Sequence, residues 1–141
     1  MLTLDQAQAI VAGALAEARR LNAKPLGVVA LDAGGHFVAL AREDGASLYR
    51  VEIARGKANA ALGMGSDSRA IAERSAGNPN FFGSVAALVP GGLILSAGGV
   101  LIRSNGTVIG AVGISGDTAD IDEQCALAGI AAAGVERKDP A

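Results

Sequence analysis

The sequence predicts an α/β (α+β) domain in which an antiparallel sheet of about five strands is flanked by helices. Three observations carry this. VVALDAGGHFVALARED at 28–44 and GGVLIRSNGTVIGAVGISG at 98–116 each interrupt a β-branched, apolar run with a glycine-containing turn, the grammar of a hairpin. Before, between and after them, apolar residues recur at three- and four-residue intervals, the helical period. At 141 residues the chain is long enough for one domain with its own core, spanning 1–141, and too short for two of ordinary size. One hairpin closes no sheet, so the two must share a layer.

Thr3 and Gln6 stand at capping-box spacing, and Leu4, Ala7, Val11, Ala14, Ala18 and Leu21 follow at helical intervals. This first helix ends near Asn22, and Pro25 bars its continuation. A first strand, Leu26 to Leu31, is predicted next, then a turn over Asp32-Ala33-Gly34-Gly35 and a second strand, His36 to Arg42. Ala46 to Leu62 returns to helical period and stops at Gly63 and Gly65. A short helix is expected around Arg69 to Arg74, followed by a loop, AGNPNFFG. Leu93 to Ser96 and Val100 to Arg103 are strand candidates. Asn105-Gly106 is the dipeptide of a type I′ hairpin, and the strand after it runs Thr107 to Ile114. Asp120 and Glu123 have capping-box spacing and open a small-residue helix to about Gly134, after which the tail VERKDPA is expected to fray.

Composition excludes several functions. Only 18% of residues are charged and the net charge is −2, which gives no basic face for nucleic-acid phosphates. The uncharged run from Phe81 to Ile102 is broken by Pro90, Gly91, Gly92, Gly98 and Gly99, so no membrane partner is expected. Cys125 is the single cysteine and MLTLDQAQ has no secretory pattern, so a cytoplasmic location is the expectation. Half the residues are hydrophobic while 3% are aromatic, which calls for a tightly packed core of Ala, Val, Leu and Ile. With so little surface charge, some apolar surface should be covered by another copy, and a homo-oligomer is expected.

LDAGG at 31–35, Ala54 with Lys57 and Ala58, GG at 98–99, GAVGISG at 110–116 and DEQCALAG at 122–129, in this order and spacing, resemble the GlcG/HbpS-like family. That family comprises small haem-binding or haem-degrading proteins and a domain appended to some corrinoid adenosyltransferases. The resemblance runs from the first helix almost to the C-terminus and implies a profilin-like fold, oligomeric assembly and haem as the candidate cofactor. The chain departs from the family pattern at Leu101, where proline is common, and at Asn59, where threonine is common.

Several residues are candidates for chemistry. Lys57 lies at the edge of the apolar arc with Arg50 two turns away, about 10 Å along the axis. Its ammonium could bind a ligand carboxylate or act as a nucleophilic amine, or its stem could simply lie along the core. Glu123, if turned towards Lys57, would complete an acid–base pair. GISGDTADIDE leads through glycines into a helix start that favours an anion such as a haem propionate; the same glycines equally serve close packing. Gly98, Gly99, Gly113, Ser115 and Gly116 are the candidate ligand-binding positions there, with Arg50. His36, the single histidine, is a candidate haem ligand or a surface residue. Asp32 should organise its own turn. One histidine and one distant cysteine supply no zinc site, so no metal site is expected. Two functions stand: binding of haem or a similar flat, carboxylate-bearing small molecule, or a cofactor-independent enzyme of lyase or isomerase type using Lys57. A non-catalytic assembly module is a third.

Overall fold

The computed structural model describes residues 1–135. The element order is α1 (Leu4–Arg20), β1 (Gly27–Asp32), β2 (Phe37–Arg42), α2 (Arg50–Met64), α3 (Ser68–Ala76), α4 (Pro79–Leu88), β3 (Gly99–Ser104), β4 (Thr107–Ser115) and α5 (Ala119–Ala132). The strands form one antiparallel sheet in the order β2-β1-β4-β3. Both predicted hairpins are present and, as expected, share a layer.

Alternation along the strands sorts side chains into two cores. Val28, Ala30, Val100, Ile102, Val112 and Ile114 face α1 and α5, packing with Ile10, Ala14 and Ile130. Val29, Leu31, Leu101 and Ala111 face α2 and meet Ala54, Ala58 and Ala61. Gly99 and Gly113 are register partners on β3 and β4. A Cβ on Gly99 would collide with the Lys57 carbonyl oxygen, and one on Gly113 with that of Ala54. The two glycines thus let the α2 backbone rest directly on the sheet.

The Thr3–Gln6 capping box forms, with bonds of 2.9 and 3.1 Å. Asn105 and Gly106 take φ of 52° and 77°, as a type I′ turn requires. Four departures have physical reasons. The sheet has four strands, because Leu93 to Ser96 is not one of them: the Ile94 N–H donates to the Gly56 carbonyl of α2 (3.0 Å), so this segment lies along a helix, outside the ladder. AGNPNFFG is largely helical, since Pro79 sits in the first turn of α4, where its missing N–H costs nothing. α2 begins at Arg50, four residues later than predicted, after a turn through Gly45 at φ 82°. α5 is capped by Thr118, whose Oγ1 accepts from the Ile121 N–H, and not by Asp120. The tail from 136 onwards lies outside the described residues.

Candidate functional site

The β1–β2 turn is built by one carboxylate. Asp32 Oδ1 accepts from the backbone N–H groups of Gly34 (2.9 Å) and His36 (3.0 Å). These donors, His36 foremost, hold the Asp32 carboxyl below the usual carboxylate range, against burial, which pushes the other way. The same oxygen lies 3.2 Å from Nδ1 of His36. An imidazole that donates its Nδ1–H to a carboxylate keeps Nε2 as a free lone pair, the arrangement typical of metal-binding histidines. The His36 side chain is 80% exposed, so the ring edge away from Asp32 is open to a ligand.

His36 borders a recess of about 420 Å³ between this turn, α2 and the segment that follows α4. Arg55, Asn59 and Gly63 line it from α2 at helical i, i+4, i+8 spacing, and Met64, Val85 and Leu93 add apolar wall. The Asn59 amide donates to the carbonyls of Pro90 (2.8 Å) and Gly92 (3.0 Å), fixing the loop that closes the recess. The Arg55 guanidinium lies over the Phe37 ring, 4.9 Å from its centroid. Its Nε is buried and has no hydrogen-bond partner among the described residues. A second, apolar hollow of about 430 Å³ flanks the other side of the turn, between Leu2, His36 and Ile109.

Lys57 belongs elsewhere. It is 4% exposed, and its Nζ donates to Asp122 Oδ2 at 3.0 Å. Asp122, 1% exposed, accepts the Asp117 N–H on its other oxygen at 3.0 Å. The pair links α2 to α5 past the end of the sheet, beside Gly98, where a Cβ would stand 3.0 Å from Lys57 Nζ. Glu123 does not face Lys57; it binds Arg69 of α3 at 3.0 Å. Successive helical residues point about 100° apart, so with Asp122 turned inward its neighbour must turn out.

The other predicted positions are drawn close to protein atoms. Arg50 Nη1 donates to Ser115 Oγ at 3.0 Å, and a Cβ on Gly116 would strike the Pro25 carbonyl. At the α5 start, Asp122, Asp117 and Thr118 oxygens accept the N–H groups of Asp117, Thr118 and Ile121, so side chains occupy donors that an anion would use. Cys125 is buried, which pushes its thiol up to about 11 and keeps it protonated at neutral pH. The structure therefore brings Lys57 together with Gly98 and Gly99, and Arg50 with Ser115, while His36 lies apart beside the recess. Arg55 and Met64 are site residues that the sequence alone did not single out, although the Arg55–Asn59–Gly63 stripe at the flank of an apolar helix was a readable signal.

Known proteins share this fold. The model of a family described as haem degrading protein HbpS-like matches residues 2–131. A double mutant of Streptomyces reticuli HbpS superposes with a TM-score of 0.82 at 28% identity, covering 93% of this chain and 86% of that one. Klebsiella pneumoniae ORFY gives 0.84 at 26%, covering 94% and 90%. A PduOC:heme complex gives 0.83 at 26%, covering 94% of both chains. No curated protein matches by sequence.

Proposed function

This chain belongs to the HbpS-like family, and from that membership and the recess beside His36 we propose that it binds haem or a similar flat, carboxylate-bearing ligand there. The observation that carries the reading is the Asp32–His36 pair, whose contact engages Nδ1 and leaves Nε2 of an exposed imidazole for a ligand, beside a recess with both polar and apolar walls. Among the described residues the donor set suits the group: an oriented imidazole, a guanidinium whose Nε has no hydrogen-bond partner, and apolar walls. Haem, when bound, would supply an iron that an imidazole nitrogen can hold. His36 would be that imidazole, Asp32 would hold its tautomer, and Asn59 would keep the wall at Pro90–Gly92 in place. A relative solved as a heme complex supports the same ligand class. Amine chemistry at Lys57 finds no support, because its ammonium is buried against Asp122.

A homo-oligomer is part of the proposal. Among the described residues, edge strand β2 pairs only with β1, and its Phe37 and Leu40 are 45% and 48% exposed. A cytoplasmic location is also proposed, on the strength of the single free thiol. Among the described residues no helix is long and apolar enough to cross a membrane.

Titration of the full chain with hemin tests the ligand. A saturable, red-shifted Soret band is expected for the wild type, and His36→Ala should lose the nitrogen-ligated spectrum. Spectra identical to free hemin for both proteins would remove the proposal.

A further inference from the structure

Among the described residues, Arg55 is the arginine that lines the recess. Arg19, Arg20 and Arg69 have carboxylate partners, and Arg50 has a hydroxyl. Arg55 lines the recess with a buried Nε that meets no acceptor among the described residues. A donor withdrawn from water and left unpaired calls for an explanation. The carbonyls of Pro90 and Gly92 on the closing loop are already taken by the Asn59 amide, so the loop satisfies itself without Arg55. Gly91 at φ 79° leaves the space: a Cβ there would stand 3.2 Å from the guanidinium carbon. Phe37 covers one face of the guanidinium. Stacking uses the face and leaves the in-plane N–H groups to grip an oxyanion.

We propose that Arg55 is the anchor for one carboxylate of the ligand, making the recess selective for acids over their esters. This rests on the recess being the ligand site proposed above, but it needs no iron. A guanidinium suits the role because its planar fork matches two carboxylate oxygens at once, which an ammonium cannot do.

The test compares metal-free protoporphyrin IX with its dimethyl ester, by fluorescence titration of the full chain. The wild type should bind the diacid about tenfold or more tightly than the ester, a charge-assisted bidentate contact being worth at least that. Arg55→Gln should bring the diacid down to the ester's level and leave the ester unchanged, and Arg55→Lys should recover only part of the difference. Circular dichroism checks the folding of both variants, and the wild-type comparison stands without them. Equal affinity for acid and ester, no binding of either, or discrimination that survives in Arg55→Gln would overturn the anchor. Hemin binding that persists while the anchor fails would leave His36 ligation standing, so the two failures are separable.

Discussion

At the scale of single residues the buried Lys57–Asp122 pair is the most consequential contact outside the recess. Both side chains are almost wholly withdrawn from water, so each charge depends on the other and on the Asp117 N–H. Removing one partner leaves an uncompensated buried charge, whereas removing both leaves only space to fill. Asp122→Asn should therefore cost about 3 to 5 kcal/mol in urea unfolding, and Lys57→Met combined with Asp122→Leu should cost clearly less than the two single changes summed. Additive losses would show that the pair is not coupled. The same residues show why sequence spacing alone could not decide which carboxylate faces Lys57. Asp120 and Glu123 have capping-box spacing, but Thr118 takes the cap, and it is Asp122 that faces inward to Lys57 while Glu123 binds Arg69. By contrast the Asp32 turn was legible, because its bonds stay within four residues. The recess was not, because Asn59 meets its carbonyl partners 31 and 33 positions along the chain.

At the scale of elements, the contact between α2 and the sheet depends on the missing side chains of Gly99 and Gly113. A methyl on Gly113 would overlap the Ala54 carbonyl oxygen, which cannot move without lifting the helix backbone. Gly113→Ala should destabilise by about 3 kcal/mol or more, the upper end of overpacking costs. At Gly63, in the same helix, an added methyl would meet nothing within 4 Å. Gly63→Ala should instead gain about 0.5 to 1 kcal/mol by restricting the unfolded chain and favouring the helix. Thermal melts of both variants check the pair, and an unchanged Gly113→Ala would refute direct backbone seating. The glycines at 98–99 and 110–116 were readable as close-packing positions. Which element packs on them was not, since Gly113 and Ala54 stand far apart in sequence and only the fold brings them together. Helix α4 was missed for a local reason: Pro79 reads as a breaker unless it is assigned to the first turn.

At the scale of the whole molecule the two sheet edges are treated differently, and this asymmetry argues for assembly. On β3, Ser68 Oγ accepts the Gly99 N–H at 2.8 Å and Asp67 Oδ1 accepts the Leu101 N–H at 2.9 Å, so the start of α3 seals that edge. On β2, FVALAR contains neither proline nor lysine, and Arg42 at its end is the only charge. Its flank continues into an apolar groove with α1, lined by Leu4, Val11, Leu15 and Val38. An unsealed edge with apolar side chains on both faces is completed most economically by an antiparallel copy of itself, because a twofold axis pairs identical donors and acceptors. The wild type should therefore elute as a dimer or larger even-numbered assembly in light-scattering chromatography. Leu40→Glu should shift the mass towards the monomer without altering the far-ultraviolet spectrum, since two carboxylates would be driven together in an apolar contact. Phe37 stacks on Arg55 and lies on this edge, so the monomeric variant should also bind anionic porphyrin more weakly if the neighbouring copy shields the recess from water. A wild type that is monomeric at every accessible concentration would exclude the β2 edge as an interface, and a variant of unchanged mass would place the contact elsewhere on the surface.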